Sequence, residues 1–135
     1  MEDYKHFLLI LIVFISGPSC SRSYEYTSYL KSVIEEDMNI VEKKDFSMGI
    51  DPGAYYKITY EHNESALSLI SELNLKRVNS NDSLSPSPEL PTWYYDALKG
   101  YNYRTYIRYN KKTEEDIVLK WNQDLKIICL TWAKL

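Results

Sequence analysis

Few side chains in this chain can do covalent chemistry, and their types and spacing narrow the reactions available. The two cysteines are Cys20 and Cys129, and the two histidines are His6 and His62. Cys129 and His62 are a thiol and an imidazole, the pair from which a nucleophile and its base are built. Cys129, however, lies among Ile127, Ile128, Leu130 and Trp132, and burial in such a run raises a thiol's pKa and leaves it inert. A serine nucleophile served by His62 would need a sharp Gly-x-Ser-x-Gly turn to present it, and the chain has none. No second histidine stands at helical spacing from His62 and no cysteine pair has zinc-ligand spacing, so neither a metal nor a cofactor is expected. The four glycines, Gly17, Gly49, Gly53 and Gly100, are too scattered to cradle a phosphate. The acidic runs Glu35-Glu36-Asp37 and Glu114-Glu115-Asp116 read as solvated surface rather than paired catalytic carboxylates.

Recognition chemistry is better represented. Between Trp93 and Lys112 the spacing predicts a strand with Asn102, Arg104, Tyr106 and Arg108 on one side and Tyr101, Tyr103, Thr105, Ile107 and Tyr109 on the other. Arginine forks beside aromatic rings suit carboxylates, phosphates, sugars or a protein hot spot. Trp93, Tyr94, Arg104, Tyr106 and Arg108 are therefore the candidate binding residues. The bland alternative is that Trp93 and Tyr94 close one end of the core while the arginines keep a sheet face soluble. The chain's 13 tyrosines supply contact area with few rotors and a polar tip. A net charge of −3 lacks the basic surface that nucleic-acid binding requires.

The elements that must position these residues follow from periodicity. Apolar residues at Tyr26, Tyr29, Leu30, Val33, Ile34 and Val41 fall at helical spacing and predict a first helix ending before Phe46. Asp51-Pro52-Gly53 reads as a turn, and the alternation from Tyr55 to Glu61 as a strand. Asn63 is placed to cap a second helix buried through Leu67, Leu69, Ile70 and Leu73, with Asn74 as a left-handed stop. Residues 79–91, rich in Ser, Pro and Asn, read as a loop. Strands over 101–109, 116–121 and 125–132 then follow. The last is apolar on both sides, which suits an interior position. The expected fold is α+β, with two helices on one face of a mainly antiparallel sheet of about four strands ending in a three-stranded meander. Residues 20–24 read as a tether and 25–135 as one domain. Asn63-Glu64-Ser65 and Asn81-Asp82-Ser83 fit the glycosylation sequon.

At the start of the chain a polar run, residues 1–6, precedes an apolar block from Phe7 to Ile15, then Ser16-Gly17-Pro18-Ser19-Cys20. The block is too short to span a bilayer as a helix and has the length of a secretion signal's apolar core, so residues 1–19 read as a signal peptide. With Cys20 directly after it, the segment over residues 7–21 resembles the signal of small bacterial envelope lipoproteins, in which that cysteine is acylated. Ser21 resembles the sorting residue for the outer membrane. The resemblance implies lipidation at Cys20, membrane attachment through that lipid, and an outer-membrane location facing the periplasm. A plain cleaved signal releasing a secreted domain, a retained anchor, and a Cys20–Cys129 disulfide in an oxidising compartment are the alternatives. The expected function is a non-enzymatic envelope domain that binds a protein partner or an envelope polymer, an immunity-type inhibitor being one form. The competing expectations are a small periplasmic hydrolase using His62 and a purely structural envelope component.

Overall fold

The computed structural model describes residues 18–48, 51–79 and 90–134; the signal-peptide reading and the sequon at Asn81 lie outside them. Six strands form one antiparallel sheet: β1 (Asn39–Met48), β2 (Asp51–Thr59), β3 (Lys76–Val78), β4 (Arg104–Asn110), β5 (Glu115–Asn122) and β6 (Ile127–Lys134). Their spatial order is β1-β2-β6-β5-β4-β3. The C-terminal strand is thus interior, as its two-sided apolar character requires. Register sets side chains in rows across one face: Tyr56 pairs with Leu130, Leu130 with Leu119, and Leu119 with Tyr106. One row further along run Ala54, Trp132, Ile117 and Arg108.

Two helices cover that face. α1 (Pro18–Val33) contributes Tyr26 and Leu30, and α2 (Asn63–Glu72) contributes Ala66, Leu69 and Ile70, to a core that holds Tyr56, Ile58, Ile117, Leu119, Trp121, Ile128, Leu130 and Trp132. Residues 26 and 30, one turn apart, stand on one side of α1, and 66, 69, 70 and 73 on one side of α2. A third helix, α3 (Thr92–Leu98), packs on the opposite face, where Tyr94, Ala97 and Leu98 cluster with Cys129. Buried Asn122 pins it: its amide donates to the Ala97 carbonyl at 2.7 Å, while its side-chain oxygen accepts the Leu125 N–H at 3.2 Å and shapes the β5–β6 turn. The two sheet edges are defended differently. β1 carries the run Glu42-Lys43-Lys44-Asp45 and β3 is only three residues long, both of which discourage pairing with another chain.

This architecture corrects the expected fold of two helices on one face of about four strands with a terminal meander. Among the described residues there are six strands and three helices, with helices on both faces. The first helix stops at Val33, and residues 39–48 continue as an edge strand paired with β2. Helical spacing persisted through Ile40 and Val41 by coincidence: Ile40 pairs with Ile58, and Val41 is the extra residue of a bulge, exposed to solvent. Asp51-Pro52-Gly53 belongs to β2, paired with Met48, Ser47 and Phe46. Pro52, lacking an N–H, sits just before the β6 pairing begins at Gly53, a place a strand tolerates proline. Gly53 is required where it stands, because a Cβ there would fall inside the Phe46 ring. At the other end α1 begins at Pro18 and so includes residues 20–24.

What ends α1 also starts α2. Asn63 does not cap α2; His62 occupies the N-cap without a side-chain bond, and Asn63 Oδ1 instead accepts from the Tyr60 hydroxyl at 3.2 Å. The capping acceptor comes from outside: the Asp37 carboxylate takes the backbone N–H groups of Glu61 and His62 at 3.1 and 2.9 Å and the Ser65 hydroxyl at 2.6 Å. Glu35 accepts from Ser68 at 2.7 Å, one turn further along. The acidic run read as solvated surface therefore latches the α1–β1 connection to α2. The far end of α2 closes as expected, with Asn74 at φ 55° and Leu75 N–H bonding back to the Ile70 carbonyl at 3.0 Å. The Ser65 and His62 hydrogen bonds hold the Asp37 carboxyl at about 2, below its ordinary 3.8. A depressed folded-state pKa contributes stability above the unfolded value and loses it as pH falls through the folded one. Asp37→Asn should therefore lower the thermal midpoint at neutral pH and flatten its fall between about pH 4 and 2. An unchanged acid limb in circular dichroism melts would refute the latch.

Candidate functional site

A cleft of about 320 Å³ opens between α1 and the ends of β5 and β6, lined by Glu25, Tyr26, Tyr29, Glu115, Trp132 and Lys134. α1 supplies the first three at positions 25, 26 and 29, adjacent on one side of a helix. Glu115 and Lys134 are register partners, two residues beyond Ile117 and Trp132 and so on the same face. The aromatic wall is continuous. Tyr26 stacks on Trp132 with ring centroids 4.9 Å apart and planes 7° from parallel, and Tyr29 lies 6.1 Å from Tyr26. Lys134 Nζ donates to the Thr113 carbonyl, which draws its ammonium toward the β4–β5 turn.

Among the described residues, three buried side-chain polar atoms have no hydrogen-bond partner: the Tyr26 hydroxyl and Trp132 Nε1, on two residues that line the cleft, and Arg108 Nε, on one that does not. Arg108, Ile117 and Trp132 share a row across the sheet with Ile117 between the other two, and Tyr26 stacks on Trp132. Burial, then neighbouring Tyr56, pushes the Tyr26 phenol well above its ordinary range, while Arg108 acts in the opposite sense. Tyr26 is therefore a neutral donor at any physiological pH. Buried donors without acceptors each cost about 1–3 kcal/mol, and native structures keep few of them. Two of the three belong to residues that line the cleft, which makes it the candidate site.

The five candidate binding residues are not brought together. Tyr106 and Arg108 lie on the face covered by α1 and α2; Tyr106 is buried in the core and Arg108 is half-buried, and neither lines the cleft. Arg104, on the same side, is exposed with its guanidinium 5.9 Å over the Trp121 ring. Trp93 and Tyr94 belong to α3 on the opposite face, where the Tyr94 hydroxyl meets Thr131 Oγ1 at 3.0 Å. The alternation along β4 is right, but its arginine side faces the core and not open solvent. Of the cleft residues, Glu25 and Lys134 show only ordinary surface character in the sequence, Glu115 belongs to the acidic run read as solvated surface, and Tyr29 falls on the apolar stripe of the first helix although it is exposed. Cys20 lies within α1.

The thiol and imidazole are likewise apart. Cys129 is buried under α3, its Sγ 4.0 Å from the Tyr94 carbonyl, and burial raises it to about 12. His62 is exposed at the junction into α2, on the other face. Among the described residues no group of three or more His, Cys, Asp or Glu side chains could hold a metal ion, and no helix is long and apolar enough to cross a membrane. Neither protein-family models, nor curated proteins, nor solved structures gave a match to this chain, so the cleft's chemistry stands on its own geometry.

Proposed function

We propose that this chain is a non-enzymatic binding domain of the cell envelope, exported and anchored through a lipid on Cys20, that takes its ligand at the α1 cleft. The observation that carries the reading is the pair of unpartnered buried donors, Tyr26 Oη and Trp132 Nε1, on two stacked residues that line one concave surface. A binding reading is supported further by the separation of Cys129 from His62 and by the high pKa of the thiol, which remove the best nucleophile and base pair. At 1.5 Å per residue, Glu25 to Tyr29 lie roughly 8–14 Å along α1 from Cys20, so an anchor there holds the cleft close to the membrane surface.

Two measurements test it separately. Intact mass of the protein from its native membrane fraction should fit a chain starting at Cys20 with a diacylglyceryl group and an acyl chain, absent in Cys20→Ala. An unmodified product overturns the anchor and leaves the cleft. Nitrogen-15 spectra of the soluble domain, titrated with detergent-solubilised envelope fraction, should move the Trp132 indole signal in the wild type and less in Tyr26→Phe. An unmoved Trp132 beside shifts elsewhere transfers the binding site away from the cleft.

A further inference from the structure

Resting on the lipid at Cys20, we propose that one end of the domain lies on an anionic phospholipid surface, touching it through Tyr24 and the Lys111-Lys112 tip of the β4–β5 turn. The attachment point has little slack. α1 runs without a break from Pro18 through Cys20 to Tyr26 and Leu30, both of which are fixed in the core. Cys20 therefore stands roughly 9 Å along the helix from Tyr26, and a lipid there holds the domain by a stiff stalk. A flexible tether would let every face approach the bilayer, whereas a helix locked into the core selects one end.

Topology decides which end. Tyr26 stacks on Trp132, near the finish of β6, while Asp37, just after α1, bonds the backbone at 61 and 62, past the finish of β2. α1 thus runs along the sheet, and its first turns project past the row of Trp132. The β4–β5 turn projects the same way. Asn110, Glu115 and Lys134 form a row two residues beyond Arg108, Ile117 and Trp132, roughly 7 Å further out. Lys134 donates to the Thr113 carbonyl and, with Glu115, lines the cleft against α1, which sets the turn beside the helix.

The tip has a defined shape and a matching charge. Asn110 Oδ1 accepts the N–H groups of Lys112 at 3.0 Å and Thr113 at 3.4 Å, and Glu114 follows at φ 53°. Lys111 and Lys112 are exposed, and neither ammonium meets an acidic partner among the described residues. Glu114 opposes them, and half-buried Glu115 and Asp116 stand behind the tip, so the basic surface is confined to the part that reaches furthest. Tyr24 is 71 % exposed, one helical turn from Cys20, and carries the amphipathic ring that favours a membrane–water interface. The lipid supplies the attachment. The two lysines fix the orientation, each favouring contact with an anionic surface by about fivefold.

Lysine acetylation by a water-soluble reagent, mapped by mass spectrometry, tests this on the full protein reconstituted into vesicles. One set of vesicles is phosphatidylcholine alone and the other contains phosphatidylglycerol. On the anionic vesicles Lys111 and Lys112 should each be labelled about fivefold more slowly than in detergent. Lys126, exposed in the β5–β6 turn at the opposite end, should be labelled at an unchanged rate. The slowing should disappear on phosphatidylcholine, and also in about 1 M salt, where the screening length falls to about 3 Å. Equal slowing at Lys126 overturns the fixed orientation, and equal slowing on phosphatidylcholine overturns the selection for anionic lipid. Where intact mass finds Cys20 unmodified, the same labelling is done with Cys20 coupled to a maleimide-bearing lipid, Cys129 being buried. Slowing at the tip then supports the surface and dismisses only the natural lipid, and its absence dismisses the surface.

Discussion

Trp121→Ala should cost about 3–5 kcal/mol, enough to leave a domain of this size close to unfolded at room temperature, since total stabilities run about 5–15 kcal/mol. Trp121 is almost completely buried at the junction of β5 and α2. Its indole N–H donates to the Tyr60 hydroxyl at 2.5 Å, and Tyr60 donates in turn to Asn63 Oδ1 at 3.2 Å. One side chain thereby ties β5 to the end of β2 and to the first residue of α2. Burial raises the pKa of the Tyr60 phenol, and the hydrogen bond from the indole offsets only part of that rise. Alanine removes the ring, opens a cavity under α2 and strips one partner from Tyr60. Trp121→Phe separates the contributions by keeping most of the ring and losing the N–H, at about 1 kcal/mol. Urea unfolding followed by circular dichroism, with an unchanged slope, reads both directly. An alanine cost near that of phenylalanine would mean that α2 does not rest on this ring.

The local rules located α2 because its signals lie within about ten residues, Leu69, Ile70 and Leu73 on one face and Asn74 at the stop, but they misplaced Leu67, which is exposed, and Asn63, which is not the N-cap. The same rules failed at residues 39–48. There the helix-like spacing of Ile40 and Val41 competes with a ladder to β2, which pairs Ile40 with Ile58 18 positions on, and with the Asp37 latch to residues 24 to 28 positions on. Nothing local announces that Asp37 will be claimed by the backbone of 61 and 62. α3 was missed for a different reason. Two turns of Thr92-Trp93-Tyr94-Tyr95-Asp96-Ala97-Leu98 show no helical stripe of their own, and the helix is held in place by tertiary bonds from Tyr94 to Thr131 and from Asn122 to Ala97.

The cleft was less legible still. Arg108 was singled out for the chemistry of its guanidinium, and the period-2 pattern correctly grouped it with Arg104 and Tyr106. Pattern alone cannot say which side of a strand becomes the core when both sides carry tyrosines. That choice was made by β5 and β6, whose Ile117, Leu119, Leu130 and Trp132 face the same way as Tyr106. The meeting of Glu25 and Tyr26 with Glu115 and Trp132 then depends on β6 lying between β2 and β5, a property of the whole sheet.

Tyr26→Phe should stabilise the domain by about 1 kcal/mol while weakening its ligand. The substitution keeps the ring that stacks on Trp132 at 4.9 Å and deletes a hydroxyl that is buried without a partner. Deleting such a group recovers a desolvation cost of about 1–3 kcal/mol, part of which is returned if the vacated space stays empty. The same logic applies to Arg108→Met, which keeps the aliphatic stem along the sheet and removes Nε. Because the two sites share one cluster, their effects should not add. A protein that gains stability when a polar group is removed is carrying that group for another purpose, and binding sites are where such costs are kept. Thermal melts and titrations of the two single variants and the double variant check both halves together. Tyr26→Phe lowering stability would show that the hydroxyl is satisfied within the fold, and the cleft would then be a packing defect rather than a site. A gain in stability with ligand affinity unchanged would keep the strain but take the Tyr26 hydroxyl out of recognition.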